Sequence, residues 1–152
     1  MTALGIKWGD YEDLSPIGAM PELRELFLGG ASNVQTLQPL AGLTRLRSLV
    51  IEDLRYVRDL SPLAGLTNLR HLEVGGSWMG SRRAHVESLA FLRTLPSLER
   101  LVLQTIAFDD MDYSPLLSLP NLIEIRIARV RGMRPSHDEL SALIPALQPL
   151  TT

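Results

Sequence analysis

The side chains with the clearest capacity for chemistry in this 152-residue chain are its histidines and one acidic stretch. The three histidines are His71, His85 and His137. They lie too far apart along the sequence to form the closely spaced ligand pairs of a metal site. The stretch 109–112 holds three aspartates, but no calcium-loop pattern continues it. Because the chain also has no cysteine, a thiolate zinc site and a cysteine nucleophile are excluded, and we expect neither a metal nor a cofactor.

Sequence motifs of enzymes are missing as well. No G-x-S-x-G, Walker-type phosphate loop or paired-carboxylate pattern occurs in the chain. Glycine pairs stand at 29–30 and 75–76, but they lack the third glycine and the following helix of a dinucleotide-binding loop. They recur where predicted strands end, so we interpret them as turn glycines. We therefore predict a non-catalytic protein.

The composition indicates a soluble globular protein, with 45% apolar and 21% charged residues. A net charge of −2 gives no general attraction to nucleic acid or to an anionic membrane. The N-terminal sequence lacks the continuous apolar segment of a signal peptide, and no stretch is apolar enough to span a bilayer. Together with the lack of cysteine, this leads us to expect a cytoplasmic protein with no membrane partner.

An internal repeat supplies the elements that must position these side chains. Five segments share the pattern L-x-x-L-x-x-L-x-x-L-x-x-L-x-L and start at 14, 37, 60, 89 and 113, so the spacings are 23, 23, 29 and 24 residues. A half repeat occupies 1–13. Ser136 and Glu139 have the spacing of a capping box, which predicts a terminal helix over about 137–147 whose leucines cover the last repeat. We expect a single domain, 1–152.

Each repeat combines two periodicities. Its last part, such as Leu49-Val50-Ile51, alternates like a strand with one buried face, whereas its first part places leucines three residues apart, as in a 3₁₀ turn. Serines before Pro16, Pro62 and Pro115 are predicted to cap these turns. The predicted fold is an α/β solenoid, with a short parallel β-sheet on the concave face and 3₁₀ or short helical turns on the convex face.

The repeats resemble those of the leucine-rich-repeat superfamily from Leu4 to about Leu147. The segment VRDLSPLAGLTNLRHLEV at 57–74 is similar to the short bacterial repeats of internalins, and more similar still to the repeat tails of bacterial NACHT-type signalling NTPases. The superfamily's turn asparagine is replaced throughout, by Ala31, Leu54, Ser77, Ile106 and Val130. The resemblance implies a protein-binding module, in one form the sensor tail of a larger bacterial signalling protein.

The strand register predicts which side chains face outward on the concave wall. The central column is Phe27, Val50, Glu73, Val102 and Arg126. Phe27 and Val50 are neighbours in it, and adjoining apolar residues on a solvated wall are typical of a contact patch. Scattered exposed apolar residues are also ordinary on protein surfaces, so both interpretations stay open.

The third repeat carries six more residues than the second, in the segment 75–88. Its Trp78, Met79, Arg82 and Arg83 include the residue types enriched at interface hot spots. We predict that this loop joins the wall in binding a partner. The alternative is that Trp78 folds back and covers the lengthened repeat, because a large ring seldom remains exposed.

The last repeat is locally basic. Its arginines are Arg126, Arg129, Arg131 and Arg134. They could meet an acidic partner or a phosphate backbone, and nucleic-acid or phospho-ligand binding here is the alternative function. No aromatic residues are interleaved for base stacking, and Asp138 and Glu139 follow, so an ion-paired surface is favoured.

Overall fold

The computed structural model describes residues 2–7, 9–77 and 83–148. In these residues one parallel sheet has the strand order β1-β2-β3-β4-β6-β8-β9. Its strands are β1 (Ala3–Ile6), β2 (Glu25–Leu28), β3 (Ser48–Ile51), β4 (His71–Gly75), β6 (Arg100–Gln104), β8 (Glu124–Ile127) and β9 (Leu147–Gln148). A second sheet pairs β5 (Ala84–Val86) with β7 (Ile106–Phe108). The predicted solenoid is confirmed.

The strand register agrees with the predicted columns. Phe27 pairs with Val50, Val50 with Glu73, and Glu73 with Val102. Val102 in turn pairs with Arg126. Because a one-residue slip would turn every side chain to the opposite face, this agreement fixes which residues the concave wall presents.

The core is a stack of leucine layers between the wall and the convex turns. Leu49, Ile51, Leu72 and Val74 are buried, as the alternation predicts. The alternation predicts that Val102 is exposed, but only 8% of it is accessible. It still lies in the outward column, between Glu73 and Arg126.

The convex side consists of short turns. They are α1 (Ser15–Gly18) and the 3₁₀ helices Gln38–Leu40, Ser61–Gly65, Ala90–Thr94 and Ser114–Ser118. The predicted serine caps are wrong: Leu14 and Leu60 are N-caps without side-chain bonds. Instead, the residue two positions before each serine accepts that serine's backbone N–H, Asp13 at 2.9 Å and Asp59 at 2.8 Å. A carboxylate two residues upstream reaches this N–H directly, forming an Asx turn.

Buried apolar residues replace the asparagine ladder. Ala31, Leu54, Ile106 and Val130 all lie in the core. The backbone pairs across repeats in this region, with the N–H of Ala31 donating to the Glu52 carbonyl and that of Leu54 to the Gly75 carbonyl, both at 2.9 Å. These bonds satisfy turn amides without an asparagine side chain.

The terminal helix α2 spans His137–Leu143, four residues fewer than predicted at its C-terminal end. Ser136 caps it, accepting the Glu139 N–H at 3.2 Å. Ile144 is extended because it precedes a proline, and Leu147 enters β9 beside β8. Leu143 is 62% exposed rather than covering the last repeat, while Leu140 is buried. No helix in the described ranges is long and apolar enough to cross a membrane.

Candidate functional site

The N-terminal half of the concave wall carries the apolar pair that the register predicts. Phe27 and Val50 are both half-buried and adjacent on β2 and β3. On the other side of Phe27, Gly5 of β1 has no side chain, so the ring borders a shallow depression of about 340 Å³. The rim of this depression is polar, with Glu25 and Ser48.

A second depression of about 270 Å³ lies at the centre of the wall. Val50, Glu73 and Val102 line it on the strand side. At the strand ends Gly75 and Gly76 leave a gap between the side chains of the flanking repeats. Val50 borders both depressions, whereas Phe27 borders the first and Val102 the second. Glu73 stands between Val50 and Val102 in the register, so only Phe27 and Val50 adjoin.

Charged and polar side chains occupy the rest of the wall, Glu73 and Arg126 in the central column and His71, Arg100 and Glu124 in the column that precedes it. His71 Nε2 lies 3.3 Å from Glu73 Oε2, and its Nδ1 lies 3.4 Å from Ser48 Oγ. Further along, Glu124 contacts two arginines, with Oε1 3.1 Å from Arg126 Nε and Oε2 3.7 Å from Arg100 Nε. The wall is therefore apolar towards β2 and charged but internally neutralised towards β8.

The inserted loop returns to the fold at the edge of the central depression. Trp78, Met79 and Arg82 lie outside the described residues, whereas Arg83 is described and exposed. The backbone N–H of Ala84 donates to the Thr105 carbonyl at 2.8 Å, and Thr105 lines the depression. The second end of the loop is thus attached beside the wall.

The basic segment of the last repeat is largely engaged with its own surroundings. Arg129 forms an ion pair with Asp138 at 3.0 Å, and this guanidinium holds the pKa of Asp138 below its usual value. The guanidinium of Arg134 donates to the Asp110 carbonyl at 3.1 Å. Arg126 pairs with Glu124, and Arg131 is exposed.

The acidic stretch 109–112 makes hydrogen bonds within the fold. Asp109 accepts from Arg58 and lies 3.2 Å from His85 Nδ1, while Asp112 accepts the Ser114 N–H at 2.9 Å. Across the described ranges, no three His, Asp or Glu side chains are grouped to hold a metal ion. These carboxylates therefore act as structural acceptors.

The sequence predictions missed an arginine cluster on the edge where the chain enters the strands. A depression of about 260 Å³ there is lined by Arg24, Arg45, Arg47, Asn68, Arg70 and Ser97. A signal was present: Arg24, Arg47 and Arg70 are 23 residues apart and occupy the same position of successive repeats.

No protein-family model and no curated protein matches the chain. Solved structures do match. An internalin C2 from Listeria monocytogenes is 32% identical with a TM-score of 0.70, over 84% of this chain and 52% of its own. Another internalin from L. monocytogenes is 22% identical with a TM-score of 0.63, over 100% of this chain and 48% of its own.

A leucine-rich-repeat protein of Leptospira interrogans is 16% identical, with a TM-score of 0.71 over 99% of this chain and 37% of its own. The chain therefore spans about half the length of the two internalins and about a third of the Leptospira protein. The two matches of lower identity show the fold alone.

Proposed function

This chain is a leucine-rich-repeat protein that resembles internalins, and we propose that it is a non-catalytic module that binds a protein partner on the concave strand face. The observation that carries the proposal is the apolar strip of Phe27 and Val50, of which Val50 borders both depressions. Burying such a strip removes apolar surface from water, at roughly 25 cal/mol per Å².

The rigidity of the wall supports the same proposal. Paired parallel strands hold β2, β3, β4 and β6 in register. Binding on a surface that is already ordered avoids most of the entropy cost of fixing interface side chains and loops. The partner we propose places one or two apolar side chains in the depressions and polar groups over the rim at Glu25, Ser48 and His71.

We include the inserted loop in this surface as a second contact. Trp78, Met79, Arg82 and Arg83 would supply apolar area and forked donors for a partner carboxylate. The support is the attachment of the loop's returning end to Thr105, which borders the central depression. The partner would then span the wall and the loop together.

The alternative function, binding of nucleic acid or a phospho-ligand by the last repeat, has weaker support. Arg126 and Arg129 already face Glu124 and Asp138, and Arg134 donates to a backbone carbonyl. A phosphate backbone would have to displace these contacts. Salt separates the two functions, because phosphate-dominated binding weakens steeply with ionic strength and apolar contact does not.

The proposal extends to the biological setting. We place the module in the cytoplasm, as the recognition part of a larger bacterial signalling protein. The cysteine-free composition suits a reducing compartment.

Site-specific photo-crosslinking tests the binding surface. A photoreactive residue at Val50 should capture a protein that the same residue at Leu117, which is 46% exposed in the convex 3₁₀ helix Ser114–Ser118, does not capture. With that protein purified, Phe27→Asp should weaken binding by about thirtyfold, corresponding to a hot-spot loss of about 2 kcal/mol. Equal capture from both positions, or unchanged affinity of the Phe27→Asp variant, would contradict the proposal.

A further inference from the structure

Four arginines surround one depression on the strand-entry edge. Arg24, Arg47 and Arg70 occupy successive rungs: the N–H of Arg47 donates to the Arg24 carbonyl at 2.7 Å, and that of Arg70 to the Arg47 carbonyl at 2.8 Å. Neighbouring parallel strands are about 4.8 Å apart, so three guanidinium stems start within roughly 10 Å of each other. Arg45 stands two residues before Arg47 and lines the same depression.

The positive charge of this cluster is not neutralised within the described part of the chain. There, no carboxylate lies within 4.0 Å of Arg24, Arg45, Arg47 or Arg70, whereas five other arginines have such partners. Those five are Arg55, Arg58, Arg100, Arg126 and Arg129. Like charges at this spacing repel one another, and a bound anion would relieve that repulsion.

Neither the repeat nor the overall charge demands the cluster. At the same repeat position as Arg70, the next two repeats carry Glu99 and Ile123. The chain as a whole has a net charge of −2. Four of the 15 basic residues therefore line one depression in a chain that is slightly acidic as a whole.

The depression also offers polar groups besides arginine. Asn68 donates one amide hydrogen to the Thr44 carbonyl at 2.7 Å, which fixes its side chain at the rim. Ser97, at the equivalent position of the next repeat, also lines the depression. A forked guanidinium matches the oxygens of a phosphate in pairs, and several of them around one concavity suit a group with three terminal oxygens and two negative charges.

We propose that this edge binds a phosphomonoester group, either on a phosphorylated small molecule or on a phosphorylated side chain. A volume of about 260 Å³ accommodates the phosphate together with part of the molecule that carries it. The site is separate from the concave wall, since none of its lining residues borders either wall depression. The proposed phosphate site therefore lies beside β2, β3 and β4, and not in the last repeat.

Titration with inorganic phosphate, followed by backbone amide NMR of the full chain, tests the proposal. The signals of residues 45–47 and 68–70 should shift saturably, and Arg47→Gln should weaken binding at least tenfold. Arg131→Gln is the matched control, because it removes one exposed positive charge from the last repeat. It should leave the affinity unchanged. Thermal melting of both variants checks that each remains folded.

Two further arms identify the source of the phosphate. Glycerol phosphate and a phosphoserine peptide are compared at equal ionic strength, and the tighter ligand shows whether a small molecule or a protein carries the group. Shifts that fail to saturate, or equal loss in Arg47→Gln and Arg131→Gln, would overturn the proposal. So would a single-stranded oligonucleotide that binds through Arg47 far more tightly than either ligand, because the site would then recognise a nucleic-acid backbone.

Discussion

A Cβ atom on Gly76 would lie 2.6 Å from the carbonyl oxygen of Thr105. It would also meet the Cβ of Ala84 at 3.0 Å, where the inserted loop rejoins the fold. The neighbouring Gly75 is different, because its nearest contact would be the Gln104 carbonyl at 3.7 Å, an ordinary van der Waals distance. Packing therefore requires a glycine at Gly76, whereas Gly75 only leaves space on the wall.

Gly76→Ala should therefore destabilise the fold by about 1–3 kcal/mol, the usual cost of forcing extra volume into a packed position. Gly42→Ala is the control, because nothing lies within 4 Å of its added methyl group. It should be neutral or stabilising by about 0.4–1 kcal/mol through the unfolded state. Urea denaturation of both variants measures the difference, and equal midpoints would show that the Thr105 contact relaxes freely.

Leu72→Ala tests the central packing of the stack. Leu72 is fully buried and pairs with Leu49 on one side and Leu101 on the other, so its removal leaves a cavity between two repeats. The free energy of unfolding should fall by about 2–5 kcal/mol. Thr67→Ala, at an exposed position in the turn before β4, should change it by less than about 0.5 kcal/mol. A loss below about 1 kcal/mol for Leu72→Ala would contradict tight packing here.

Asp112 predicts a pH dependence of stability. Hydrogen bonds from the Ser114 hydroxyl and backbone N–H hold the pKa of Asp112 below its usual value, assisted by the charges of Arg93 and Arg134. Since the unfolded state has the higher pKa, this stabilisation is present above the ordinary aspartate pKa of about 3.9. It is lost as the pH falls through the folded-state value.

Asp112→Asn removes the titration while keeping an oxygen acceptor for the Ser114 N–H. The stability difference between wild type and this variant should be largest at neutral pH and should shrink on acidification below about pH 4. Ser114→Ala keeps the carboxylate but removes its hydroxyl donor, so it should lose only part of the effect. Denaturation curves over this range provide the measurement, and a difference that grows in acid would reverse the assigned sign.

The strand register could be predicted from the sequence because stacked repeats leave few alternatives. The 23-residue spacing of Leu26, Leu49 and Leu72 places equivalent positions side by side, and alternation then fixes the buried face. Turn details depend on competing local bonds instead. Serine before proline matches a capping pattern, yet Asp13 and Asp59 outcompete it, since they reach the serine N–H from two residues upstream.

The sequence predicts which side chains line the candidate site, but not the space that missing side chains leave between them. Phe27, Val50 and Val102 follow from the register, but the central depression arises from side chains missing at Gly75 and Gly76. Its shape depends on what the flanking repeats place beside that gap. The second sheet, β5 with β7, arises because the lengthened third repeat runs beside the fourth. No local sequence pattern in either segment predicts this pairing.

Filling the central depression should separate recognition from stability. Gly75→Val adds a side chain where the backbone leaves room, with the nearest carbonyl oxygens at 3.7 and 4.0 Å, and valine is well suited to a strand. The thermal midpoint should therefore stay the same or rise. Affinity for a partner captured through Val50 should fall at least tenfold, or by about 1.4 kcal/mol, because the new side chain occupies the space proposed for the partner.

A matched control places the same residue elsewhere. Gly42→Val adds the same side chain in the turn after the 3₁₀ helix Gln38–Leu40, where nothing lies within 4 Å of the new Cβ, and should leave affinity unchanged. Calorimetric titration of the purified partner against the two variants gives the comparison. If Gly75→Val is stable and binds as well as the wild type, the partner does not enter the central depression. Recognition would then depend on the Phe27 side of the wall or on the loop.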